Sequence, residues 1–138
     1  MSRTIVLASI LAALASSATA ATPIDGLWAT PQYEGRVEIA GCGDQLCGRL
    51  VDSAVLRRQP DMRNAYDRDP ARRGLRLRGL PILLNLGGSG ERWRGRIYNP
   101  ADGRTYEARL RLRDADTLDV SGCVLRVFCQ TQVWRRVR

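Results

Sequence analysis

The most constraining feature of this chain is a strict alternation between Thr105 and Arg113. Tyr106, Ala108, Leu110 and Leu112 interleave with Thr105, Glu107, Arg109, Arg111 and Arg113, so one face is apolar and the other almost wholly charged. Only a β-strand with one dry and one wet face has this period, which places the strand in an antiparallel sheet. The turn residues Asn99-Pro100-Ala101-Asp102-Gly103 fold Arg92–Asn99 back onto it. Pairing Tyr98 with Thr105 then sets Ile97 beside Tyr106, Gly95 beside Ala108 and Trp93 beside Leu110. Beyond Asp114-Ala115-Asp116 a third strand follows. Pairing Arg113 with Thr117 puts Leu112 against Leu118, Leu110 against Val120 and Ala108 against Gly122. Further strands are expected at 26–30, 35–41, 46–53, 82–86 and 129–137, about eight in all. An antiparallel set of that size in one domain removes its exposed edges by closing into a barrel. Residues 54–78 break the pattern and are expected to form one long, partly helical connection, by default solvated.

Composition narrows the chemistry. All 22 basic residues are arginine, and neither lysine nor histidine occurs among 138 residues. That excludes imidazole bases, imidazole metal ligands and lysine Schiff bases. The start, Met1-Ser2-Arg3-Thr4, leads into an apolar run from Ile5 to Ala15 and then to Ala18-Thr19-Ala20. This is the pattern of a secretory signal peptide over residues 1–20, leaving a single domain over 21–138 with no transmembrane segment and a periplasmic or secreted destination. The cysteines agree with export. Cys42 with Cys47 and Cys123 with Cys129 form two close pairs. Three disulfide pairings can be drawn, of which the two local bridges are favoured; a four-cysteine zinc site is the alternative, disfavoured by its wide spacings. No metal and no cofactor is expected.

Two surfaces of the expected barrel bear on function. The inner one carries a lane of small residues, Gly95, Ala108 and Gly122, which either lets another element pack closely or leaves room for a ligand. If Cys123 lies opposite Cys129, Gln130, Gln132 and Trp134 also face inward; either the glutamines mark a polar cavity or a bulge turns them out, the bulge being slightly favoured. On the outer face Arg94 opposes Arg109 and Arg92 opposes Arg111, with Arg96–Glu107 and Arg111–Asp119 as compensating pairs. This face suits an anionic partner, although an all-arginine set also fits a plain solvated surface under a compositional bias. No aromatic platform interleaves the arginines, and no nucleic-acid partner is expected. Asp61, Asp67 and Asp69 cluster with Arg63, Arg68, Arg72 and Arg73 in the long connection. Paired carboxylates can serve acid–base chemistry or hold calcium, yet alternating Asp and Arg ordinarily neutralise one another, and no enzyme is expected.

Gly26-Leu27-Trp28 opening the first strand, with Trp134-Arg135-Arg136 in the last, resembles the lipocalin-like barrels, in which a basic residue covers a tryptophan at the closed end. The mature chain more specifically resembles the small exported bacterial proteins of domain-of-unknown-function family 2147. The resemblance rests on Gly26–Trp28, Cys42–Gly48 (CG-x2-LCG), Asp61 and Asn64, Gly79–Leu83 (GL-x-IL), Trp93–Tyr106 (W-x-G-x-IYNP-x-DG-x-TY), Gly122-Cys123, Cys129 and Trp134. It implies an all-β, antiparallel, lipocalin-like (calycin-type) barrel and carries no catalytic residues across. The expected function is binding of a small amphipathic or hydrophobic ligand in a barrel cavity lined by Trp28, Trp93, Tyr98, Tyr106, Gln130, Gln132 and Trp134. The alternative is a cell-envelope interaction module that meets an anionic partner through Arg92, Arg94, Arg109 and Arg111.

Overall fold

In the computed structural model, which describes Met1 and residues 20–138, the chain closes into an eight-stranded antiparallel barrel with neighbours paired in chain order. The expected signal peptide, apart from its two end residues, lies outside the described residues. The strands are β1 (Gly26–Ala29), β2 (Arg36–Cys42), β3 (Gln45–Asp52), β4 (Pro81–Ser89), β5 (Arg92–Asn99), β6 (Arg104–Asp114), β7 (Thr117–Val124) and β8 (Phe128–Arg136). β1 and β8 close the ring through Trp28 opposite Arg136 and Ala29 opposite Arg135. Strand ends fall within one to three residues of expectation. The largest difference is in β4, where Gly87, Gly88 and Ser89 continue the strand by pairing with Arg94, Trp93 and Arg92.

The central register follows from side-chain parity. Tyr98 opposes Thr105, Ile97 Tyr106, Gly95 Ala108 and Trp93 Leu110. Leu112–Leu118, Leu110–Val120 and Ala108–Gly122 follow on the next ladder. One end differs from expectation: Thr117 pairs with Asp114, not Arg113, and the register shifts between Leu112 and Asp114. Asp114 accepts a hydrogen bond from the Asp116 amide, which tightens the turn to two residues and leaves Arg113 as the bulge. Both local disulfides, Cys42–Cys47 and Cys123–Cys129, are formed.

One end of the barrel is shut by a tryptophan and an arginine. Trp28 is fully buried and its indole donates to the Ile24 carbonyl. The Arg136 guanidinium lies 4.3 Å from the ring centroid and donates to the carbonyls of Pro23, Asp25 and Ala115. A planar fork with several fixed donors meets three carbonyls while stacking on an indole, which an ammonium cannot do. The other end carries the four longer connections, 30–35, 53–80, 100–103 and 125–127.

The long connection is partly helical and largely exposed, as expected, but three buried residues, Leu56, Asn64 and Asp67, tie it down. Ser53 caps the short helix α1 (Ala54–Arg58) by accepting from the Leu56 amide, and Leu56 is fully buried. Asp69 caps a 3-10 turn at Pro70–Arg72 in the same way. Buried Asn64 and Asp67 anchor the connection to the outer surface of the barrel.

Candidate functional site

The inward positions of β5 to β8 grade from closed to open along the barrel axis. At the shut end Trp93, Leu110, Leu112, Leu118, Val120 and Trp134 are buried, and with Trp28, Ile39, Leu83 and Leu86 they fill the interior. Each such side chain contributes about 1.5–3 kcal/mol by leaving water, so this lower half is a packed plug. Toward the other end Gly95, Ile97, Tyr106, Gly122 and Gln132 are half-buried and Gln130, Val124 and Phe128 exposed. The accessible part of this inner face, here called the bowl, lies above the buried floor.

The small-residue lane divides between the two roles considered for it. A Cβ on Gly95 would lie 2.5 Å from the Leu84 carbonyl oxygen and 2.9 Å from that of Asn85. The irregular stretch of β4 therefore crosses close over Gly95, and that glycine serves packing. Ala108 is fully buried. A Cβ on Gly122 would meet only Ile97 and Tyr106 side-chain atoms, at 3.4 and 3.8 Å. A side chain at Gly122 would thus rest in van der Waals contact with Ile97 and Tyr106, without the backbone clash found at Gly95.

The glutamines stay inward. The β7–β8 ladder runs without a shift from Thr117–Arg135 to Val124–Phe128, so the bulge favoured from sequence is absent. The physical reason is that neither amide is stranded in an apolar core. Gln132 accepts from the Trp134 indole at 3.0 Å and donates to Gln32, which reaches in from the 30–35 connection, at 3.4 Å. Gln130, one step further out, is exposed.

The candidate ligand residues therefore separate into three groups. Trp28, Trp93 and Trp134 belong to the plug. Tyr106, Gln130 and Gln132 line the bowl. Tyr106 faces inward as its parity requires, and its hydroxyl donates to Asp102 in the adjoining turn. That hydrogen bond, then burial, raises the Tyr106 pKa. Tyr98 lies on the opposite face of β5 from Ile97 and outside the interior. It is buried there beneath the long connection, and its hydroxyl donates to Asn64 Oδ1 at 2.6 Å. Burial pushes the Tyr98 pKa up, and the nearby Asp67 carboxylate adds to the effect.

The network under Tyr98 also accounts for the aspartates of the connection. Asp67 accepts from Asn64 Nδ2 at 2.8 Å, the Arg72 guanidinium at 3.0 Å and the Asp69 amide at 2.9 Å. Burial pushes its carboxyl up, but these donors outweigh burial and hold the pKa below the ordinary value. Asp61 pairs with Arg76, and Asp69 caps its turn. All three carboxylates are thus engaged structurally, and among the described residues no cluster of three metal-ligating side chains occurs.

On the outer face Arg92 opposes Arg111 and Arg94 opposes Arg109, as parity requires. Arg96 opposes Glu107 and Arg111 opposes Asp119 as expected, but the ion pairs form with other arginines. Glu107 pairs with Arg109 at 3.6 Å, not with Arg96, and Asp119 with Arg113 at 2.9 Å, not with Arg111. Bulging at Arg113 accompanies the second exchange. Arg109 is further committed, donating to the Arg126 carbonyl of the β7–β8 turn.

Comparison with known proteins adds a fold and a family. The model of DUF2147, described as an uncharacterized protein conserved in bacteria, matches residues 26–136. Protein HP1028 from the human pathogen Helicobacter pylori, described as belonging to the lipocalin family, has a similar solved structure. The TM-score is 0.75 at 17% identity, covering 86% of this chain and 85% of that one. No curated protein matches the chain.

Proposed function

The chain belongs to the DUF2147 family of bacterial proteins and folds as a lipocalin-like barrel, and from these premises we propose that it is an exported, non-catalytic binding protein. Its ligand is a small amphipathic molecule seated in the open half of the barrel. The apolar part rests on Ile97, Tyr106 and Val124 beside Gly122, and the polar part meets Gln130 and Gln132. The observation that carries this reading is the gradient of inward exposure along β5 to β8, from a filled floor to an open, partly polar mouth. Two formed disulfides support export, because such bridges persist in oxidising compartments. The engaged state of Asp61, Asp67 and Asp69 supports a role without catalysis.

Titration with N-phenyl-1-naphthylamine, a neutral amphipathic fluorophore, tests the site. The wild-type protein is expected to enhance its emission. Gly122→Phe, which fills the bowl without disturbing the plug, is expected to weaken binding about tenfold while near-ultraviolet circular dichroism stays unchanged. Equal binding by the two proteins would remove the bowl as the site.

A second reading has its own observation. Arg92, Arg94 and Arg111 stand on neighbouring strands without an acidic partner among the described ion pairs, a face suited to an anionic component of the cell envelope.

A further inference from the structure

The β7–β8 hairpin ends in Val124-Leu125-Arg126-Val127-Phe128. Its four apolar side chains are 48%, 79%, 74% and 68% exposed, respectively. The other hairpin turns of this barrel are glycine-rich or polar: Gly43-Asp44, Gly90-Glu91, Pro100 to Gly103 and Ala115-Asp116. This one is apolar at some conformational cost. Leu125 and Arg126 occupy the left-handed region, with φ of 53° and 64°, where glycine or asparagine is the ordinary choice. The fold also holds the tip in place. The Cys123–Cys129 bridge closes its base, Val124 pairs with Phe128, and Arg109 donates to the Arg126 carbonyl at 3.0 Å. A braced, protruding apolar tip is the shape that enters a fluid interface.

Charge selects the partner. Arg126 stands within the tip and Arg109 braces it from below. Arg104 opens β6 beside the 100–103 connection, at the same end of the barrel. The whole chain carries a net charge of +8. We propose that this tip anchors the protein to an anionic lipid surface, with the apolar side chains in the interfacial region and the arginines at the headgroups. A second copy of the chain fits less well. A tip-to-tip contact would bring the like charges of Arg126 and Arg109 of both molecules together. This anchor is separate from the Arg92, Arg94 and Arg111 face, which runs toward the shut end, and it stands whether or not the bowl binds a ligand. It also orients the molecule, turning the open end of the barrel toward the bilayer.

Vesicle flotation of the full mature protein tests it, using phosphatidylcholine alone or with about one third phosphatidylglycerol. Partitioning onto the anionic vesicles is expected to be about tenfold stronger than onto the neutral ones and to fall with added salt. In Phe128→Trp, a new emission component should shift to the blue on anionic vesicles only. The double variant Leu125→Asn, Phe128→Ser should lose about tenfold in partitioning with both disulfides and circular dichroism intact. Unchanged partitioning by that variant, or equal binding to neutral vesicles, would overturn the anchor. So would a vesicle-free dimer abolished by the same variant, which would assign the tip to a second copy. Retention on soluble polyphosphate without vesicle binding would overturn the lipid while leaving the arginine face as an anion site.

Discussion

At the residue scale the structure turns on a few side chains linked by hydrogen bonds. Tyr98, Asn64, Asp67 and Arg72 form a chain of hydrogen bonds that fastens the long connection to β5. Asp67 gives it a definite pH dependence. Its pKa in the folded protein lies below the unfolded value of about 3.9, so its contribution is complete above that value and is lost as the pH falls through the folded pKa. Asp67→Asn is therefore expected to lower stability at neutral pH by on the order of 1–2 kcal/mol and to flatten the loss between neutral and acid. Urea unfolding at pH 7 and pH 3 checks both effects; a variant as stable as wild type at pH 7 would show that the network does not hold the connection. Tyr98 was expected to line the cavity; it is instead buried on the outer face, which nothing local could show. Its partner lies 34 residues away, and only the folded connection creates the dry site.

At the scale of elements, the hairpins were the most legible part of the chain. A period of two with known turn chemistry leaves few registers, and the β5–β6 ladder follows from Thr105–Arg113 alone. Asn99 and Asp102 each accept from a backbone amide two residues on, so the distinctive Asn-Pro-x-Asp-Gly block is turn chemistry. Gly103 does more than relax that turn. Its φ is +70°, and a Cβ there would fall against the Tyr66 carbonyl oxygen of the long connection. Gly103→Ala is thus expected to displace the connection as well as strain the turn, at a cost of at least about 2 kcal/mol. Thermal unfolding with limited proteolysis around Tyr66 measures it; a variant with unchanged midpoint and protection would mean that the connection does not rest on this turn. What sequence could not settle was the fate of Gln130 and Gln132. The cost of burying them favoured a bulge, whereas the ladder continues because Gln132 finds Gln32 100 residues away and Gln130 reaches the mouth.

At the scale of the whole molecule, one barrel does two jobs. Its lower half is a core of three tryptophans and branched aliphatics, sealed by Arg136, and it supplies the stability that lets the upper half stay open. The expected cavity lining included all three tryptophans; instead Trp28, Trp93 and Trp134 fill the floor, and only Tyr106, Gln130 and Gln132 of that lining remain at the mouth. Ligand recognition in this account rests on that open half. The most direct test is the native mass of protein exported to the periplasm and purified without detergent, compared with its denatured, non-reduced mass. A native mass larger by one fixed small-molecule increment, absent from Gly122→Phe, is the predicted result. A bare native mass that stays bare when amphipathic compounds are added, or an increment that Gly122→Phe retains, would contradict it.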